Sequence, residues 1–298
     1  MLVPRIFASV FCALAMLNME SIARACASCG SGGDDPLILY PNERIKDYFG
    51  LSQSSNFKNI DPDGSESTSG GPNTKQTFTL ATGRALSTRS FAAFTVPYIR
   101  NLRDGKTIAG VGDVSVAGRY SAILQSIDEP LIPQLQVLFG YKVATGRSTH
   151  NSQELKTLMD VTGTGFDEIK TGIDIWWGIS RIKPGFSQLF LFPQAKSFQG
   201  VRHQPGNISR TTVSLGYSWL DNWKTTIGIN REYRRSLRVE GDEQTDSAQL
   251  NHSLFFTSDL MITGVDQIRL SVSRLGAAFQ NYSTSRSESF GLAYMHSY

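Results

Sequence analysis

The 298-residue chain carries only three cysteines, four histidines and a formal net charge of +3. So small a surplus of charge argues against the concentrated basic patch on which nucleic-acid binding rests. The histidines (His150, His203, His252 and His296) are scattered, and neither a His-Glu-x-x-His nor a Gly-x-Ser-x-Gly element occurs, which removes those metal- and serine-hydrolase patterns. Beyond residue 25 there is no run of 18 apolar residues, so no helix is available to cross a bilayer. A chain of this kind enters a membrane only as a closed barrel, because closure alone pairs every backbone group of its strands in lipid.

What is present begins with an export signal. Arg5 supplies a positive start, Ile6 to Leu17 form a short apolar core, and Ala23-Arg24-Ala25 is a small-x-small cleavage site. Ala25-Cys26-Ala27 is a second such site. Residues 1–25 therefore read as a signal peptide, 26–43 as a Cys- and Gly-rich periplasmic lead segment, and 44–298 as the folded body. Asn42 to Tyr48 is compatible with a short helical turn.

Cys12 leaves with the signal, so Cys26 and Cys29 remain as a Cys-x-x-Cys pair in an oxidising compartment. The default there is a local disulfide. A metal is the alternative, weakly assisted by Asp34 and Asp35, but the pair has no neighbouring histidine. Lipidation of Cys26 is a third reading, opposed by the bulky, charged Arg24. The lead segment either enters the folded body as a plug or hangs below it.

Period-2 alternation dominates the rest. From Val111 to Leu124, Val114, Val116 and Tyr120 oppose Asp113, Ser115 and Arg119. From Ile132 to Thr145, Leu135, Val137, Phe139 and Tyr141 oppose Gln134, Gln136 and Lys142. Val213, Leu215, Tyr217 and Trp219 oppose Arg210, Thr212 and Ser214, and Ile268, Leu270 and Val272 oppose Arg269 and Ser271. These segments outrun the five or six residues usual in soluble strands and suit the roughly 9–11 residues of a tilted membrane strand.

The connections alternate as well. Leu86 to Arg89, Arg181 to Gly185 and Asp221-Asn222 are short, and Gln125 to Leu131 and the region from Thr257 to Gly264 are of middle length. Asp61 to Lys75, Arg103 to Gly110, Gly146 to Thr164, Gln199 to Asn207, Leu237 to Thr245 and Gly276 to Arg286 are long and polar. Outer-membrane barrels have short periplasmic turns and long outer loops. Eleven strands are clear, and the parity of ends requires a twelfth, for which Arg44 to Ile60 is the candidate. The expectation is an all-β, antiparallel transmembrane barrel of about twelve strands in a bacterial outer membrane. Trp176, Trp177, Trp219 and Trp223 fall at the periplasmic interface, where aromatic girdles belong.

The chain closes on Phe290, Leu292, Tyr294, His296 and Tyr298, alternate residues ending in an aromatic. This resembles the C-terminal signal read by barrel-assembly machinery, with His296 departing from the usual apolar choice.

Three segments together resemble one group of barrels: Gly110-Val-Gly-Asp-Val-Ser-Val-Ala-Gly-Arg-Tyr120, Gly140-Tyr-Lys-Val-Ala-Thr-Gly-Arg147 and Thr162-Gly-Thr-Gly-Phe-Asp167. Their order and spacing are similar to the MetA-pathway of phenol degradation family, FadL-like in style. Ala144 stands where that family has proline. The resemblance spans Ser90 to Gly200 and implies passage of small, often hydrophobic or aromatic compounds. Gly110-Val-Gly-Asp lacks the strand-before, helix-after setting of a phosphate cradle; glycine here relieves crowding or bends a strand.

The polar face of the clear strands assigns Asp113, Arg119, Lys142, Lys170, Asp174, Arg210, Lys224, Glu232, Arg234 and Arg269 to the lumen. Seven of these are basic and three acidic, a bias toward anions in a pore; internal salt bridging is the competing account. Two other functions stay open: a surface-interaction barrel without transport, and an outer-membrane lipase. Asn251-His252-Ser253 has lipase residue types, but strand neighbours point to opposite faces. No cofactor and no nucleic acid is implied; lipids of the outer membrane, assembly machinery and an unidentified small molecule are the expected partners.

Overall fold

A computed structural model describes residues 37, 39, 43–60, 65–68, 73–125, 131–154, 156–244, 247–276 and 284–298. The signal peptide and the Cys26/Cys29 pair lie outside the described residues.

Twelve long strands form one antiparallel sheet: β1 (Ile45–Ile60), β2 (Thr74–Ala85), β3 (Ser90–Arg103), β4 (Val114–Ile123), β5 (Gln134–Val143), β6 (Glu168–Trp176), β7 (Ile182–Pro193), β8 (Ile208–Leu220), β9 (Trp223–Arg234), β10 (Gln249–Met261), β11 (Asp266–Leu275) and β12 (Thr284–Ser297). Each pairs with the next in sequence, and β12 pairs back onto β1 from Lys46↔Ser297 to Ile60↔Thr284. The sheet is therefore a closed barrel. Arg44 N–H donates to the Tyr298 carbonyl and Tyr298 N–H to that of Ile45, sealing the lower end of the seam.

The weakly patterned Arg44 to Ile60 segment does supply the twelfth strand. Its first residues are extended, not helical, because Ile45 to Ser55 are paired on both sides, by β2 and by β12. The region from Thr257 onward is also corrected: β10 continues through Met261, paired with β9 up to Trp223↔Leu260. Likewise β7 starts at Ile182, so the preceding turn is Ser180-Arg181, closed by Ile179 and Ile182, rather than Arg181 to Gly185.

Alternation sorts the side chains in the reverse of a soluble protein. Phe49, Leu80, Phe139, Val213, Ile227, Phe256 and Leu292 are among the apolar residues exposed on the outer surface. Lys46, Arg119, Gln136, Lys170, Asp174, Thr212 and Asp259 are buried inside. Trp219 and Trp223 are exposed and stacked at 6.0 Å beside the Asp221-Asn222 turn. Trp176 departs from the expected girdle. It is 6 % exposed, because it pairs with Gln134 and so shares the inward face of Gln134 and Asp174.

All the long connections join strand ends at the rim opposite Ile45 and Ser297. Two of them carry hairpins (196–198 with 201–204, and 237–239 with 242–244) that join into a separate four-stranded sheet. Gly200 (φ +86°) and Gly241 (φ +96°) each follow a residue of positive φ at the tips, the backbone of a type I′ turn.

Candidate functional site

The barrel interior is the site. It holds a cavity of about 470 Å³, within the usual range of roughly 300–1,000 Å³ for ligand clefts. Half of the residues lining it are serine or threonine, and Tyr48 and Phe255 bring inward-facing aromatic rings. Asp113, Lys142, Lys170 and Arg269 supply its charges.

The expected lumen residues face inward but are mostly occupied with one another. Buried Arg119 pairs with Asp174 across the strand between them. Arg210 meets Glu232 at 2.6 Å, with Arg234 at 3.9 Å from the same carboxylate. Arg269 and Lys224 reach Asp259 at 2.7 and 3.9 Å, and Lys142 reaches Glu168 at 3.3 Å. Lys170 and Lys75 stand apart: among the described residues no ion pair or hydrogen bond holds either, and Lys75 has only the longer-range charge of Asp113; of the two, Lys170 lines the cavity and is 5 % exposed.

Sequence reasoning missed Lys46, Lys75, Lys183, Glu168 and Asp259. Asp259 and Lys183 fell in stretches read as turns, and Lys46 lies on the strand of weakest alternation. Restoring them, together with Arg103 and the Glu43 carboxylate that holds Lys46, gives eleven cations (Lys46, Lys75, Arg103, Arg119, Lys142, Lys170, Lys183, Arg210, Lys224, Arg234 and Arg269) against six carboxylates (Glu43, Asp113, Glu168, Asp174, Glu232 and Asp259) among the described residues of the inner wall. The basic surplus persists even though ion pairing consumes much of it.

Asp113 has a different task from the rest. Its carboxylate accepts from Gly146 N–H (3.0 Å), Thr164 N–H (2.7 Å) and the Thr164 hydroxyl (2.9 Å). Around it, Thr145 Oγ1 donates to the Gly112 carbonyl, Thr162 Oγ1 to that of Val111, and Ala144 N–H to Asp167. The three separate segments of the family resemblance thus meet in one knot at the outer rim. Glycine is needed there for space: a Cβ on Gly163 would sit 2.2 Å from Asp113 Oδ1.

The knot folds the connection 144–167 into the mouth of the barrel. Met159 is 2 % exposed, and Asn101 Nδ2 of β3 donates to the Met159 and Val161 carbonyls at 2.8 and 2.9 Å. Asp160 ties the connection to itself. Burial pushes its carboxyl up, but hydrogen bonds from Ser152, the Gln153 N–H and Arg147 hold it down at about 2. Against the outer sheet, His150 stacks on Phe198 at 4.1 Å and lies 4.5 Å from His203. Burial and the neighbouring His203 lower the His150 pKa.

At the lower end, Leu37 is fully buried and clusters with Ala81, Ala93 and Tyr48. A Cβ on inward-facing Gly83 would lie 2.6 Å from Leu39. These lead-segment residues therefore lie inside the barrel, which decides between the plug and hanging alternatives for Leu37 and Leu39. Of the proposed lipase residues, Ser253 lines the cavity while His252 belongs to the opposite face of β10, as strand alternation requires. Phe290, Leu292, Tyr294 and Tyr298 are all exposed on the outer surface. His296 there is satisfied by Asp266, at 2.7 Å.

No protein-family model matches the chain, and no curated protein matches its sequence. Solved structures do share the fold. The COG4313 outer membrane channel from Pseudomonas putida F1 superimposes with a TM-score of 0.70 at 13 % identity, over 90 % of this chain and 99 % of that one. The KdgM porin in complex with disordered oligogalacturonate gives 0.47 at 8 % identity, over 84 % and 99 %. The translocator domain of the autotransporter NalP from Neisseria meningitidis gives 0.47 at 12 %, over 86 % and 88 %. The first of these places the chain among outer-membrane barrels in fold; the other two are too distant to carry an argument.

Proposed function

We propose that this protein is a bacterial outer-membrane channel for small polar molecules, with a preference for anions. The observation that carries the reading is the interior: a hydroxyl-lined cavity bearing three cations and one carboxylate, inside a barrel whose inner wall is basic in surplus and whose outer surface is apolar. Such an exterior is at home in lipid, and an unpacked polar interior is what a solute needs. Inward charge of one sign draws solutes of the other. The fold shared with the Pseudomonas putida channel and the resemblance to the MetA-pathway family both support this class. The hydrophobic or aromatic solutes implied by that family fit the lining less well, since Tyr48 and Phe255 are set among serines and threonines. Export by a cleaved signal and assembly through the strand ending at Tyr298 belong to the same proposal.

A barrel that contacts surface partners without conducting is the second reading, favoured by the entry of Leu37 and Leu39 at one end and of the 144–167 connection at the other. Conductance of the full chain in a planar bilayer under a salt gradient separates the two. Stable steps with an anion-favouring reversal potential are expected. Silence from both the natural chain and a Leu37→Ser/Leu39→Ser variant overturns the channel.

A further inference from the structure

We infer that the cavity is a carboxylate-binding subsite anchored by Lys170, and that its ligand class is the hydroxylated organic monocarboxylate. The inference rests on the channel reading and names its substrate class. Three cations line the cavity. Two already have protein carboxylates as partners: Lys142 has Glu168 and Arg269 has Asp259. Lys170 has none among the described residues, although it is nearly as buried as the paired Arg119. With no protein carboxylate beside it, an ammonium that opens onto the cavity meets water or an entering anion, and a charge-assisted hydrogen bond favours the anion. The wall around it leaves room for such a ligand. Lys170 pairs in register with Gly140 on β5 and buried Leu191 on β7, and inward-facing Gly172 follows on its own strand, so the β5 side and the next inward position place no side chain against it.

The remainder of the lining defines the remainder of the ligand. Thr77, Thr95, Ser115, Ser253 and Ser271 present hydroxyls from β2, β3, β4, β10 and β11 across the cavity, able both to donate and to accept. A hydroxylated chain or ring satisfies them; a hydrocarbon leaves them unpaired. Among the cations that line the cavity, one lacking an ion-pair partner calls for one anionic group.

The test is calorimetric titration of sodium gluconate into the detergent-solubilised full-length barrel, with sorbitol and inorganic phosphate as comparison probes. Saturable gluconate binding is expected, weakened about tenfold or more in Lys170→Gln and largely kept in Lys170→Arg, with sorbitol binding far more weakly. Folding of each variant is checked by heat-modifiable migration on a gel. If Lys170→Gln fails that check, a folded Lys170→Met variant takes its place, with the same loss expected. Absence of gluconate binding, undiminished binding by folded Lys170→Gln or Lys170→Met, or phosphate binding as tight as gluconate overturns the inference. Ion conductance in the same preparation reports separately on the channel itself: a barrel that conducts chloride but ignores gluconate refutes only the subsite.

Discussion

Replacing Asp113 with alanine removes the acceptor at the centre of the outer knot. Three hydrogen bonds to its carboxylate disappear, from Gly146 N–H, Thr164 N–H and Thr164 Oγ1. The site is half-buried, so each is worth about 1 kcal/mol rather than the larger values of a sealed interior. The sum, about 3 kcal/mol, is lost from the closed state of the 144–167 connection alone, because β4 and β5 keep their own ladder. At about 1.4 kcal/mol per factor of ten, the local opening equilibrium rises roughly a hundredfold. Hydrogen exchange with mass spectrometry reads this directly: amides of peptides covering 144–164 lose about two decades of protection, while those of β4 and β5 do not change. An Asp113→Asn variant keeps one acceptor oxygen without the charge and falls between. Unchanged protection over 144–164 in Asp113→Ala refutes the claim that this carboxylate holds the connection in the mouth.

The same connection has an acid limit. Asp160 is depressed to about 2 from an ordinary value near about 3.9, so its contribution is complete above about pH 4 and disappears as pH falls through about 2. Exchange protection of 147–160 measured across that window follows the titration, and Asp160→Asn abolishes the dependence. Arg119→Leu strands the buried Asp174 carboxylate and lowers barrel stability by about 3–5 kcal/mol; adding Asp174→Asn restores most of it, as urea unfolding in detergent micelles reports. Leu37→Ser/Leu39→Ser loses the apolar contacts with Ala81, Ala93 and Gly83 and raises single-channel conductance, whereas unchanged conductance means that these side chains do not obstruct the path.

The barrel was legible because its two determinants are local. Side-chain period 2 and the long-short rhythm of connections are written along the chain, and they yield twelve strands, the end at which the loops gather and the inward Arg119, Lys142 and Lys170. What alternation cannot show is which charge meets which across strands. Asp174 lies 55 residues from Arg119, and only register brings the two together. Strand ends were the other weak point. Asp259 and Lys183 lie within two or three residues of turns, where polarity reads equally as loop or as lumen. Trp176 misled because tryptophan suits an interfacial girdle by composition, yet its parity with Asp174 already assigned it inward. The family segments were recognised as a pattern, but their convergence on Asp113 required three stretches distant in sequence to be placed side by side.

The pairing of β12 with β1 has a consequence for how this molecule comes into being. Every other ladder in the sheet joins neighbours in sequence and can form as the chain arrives; this one joins positions some 240 residues apart. Until it forms, the sheet has two open edges, each a row of unpaired amides and carbonyls beside an apolar face, the arrangement that recruits foreign strands. A sheet short of this one ladder carries two edges that only closure, or a covering partner, satisfies. Its survival in water depends on how briefly those edges stay apart, and on what shields them in the interval.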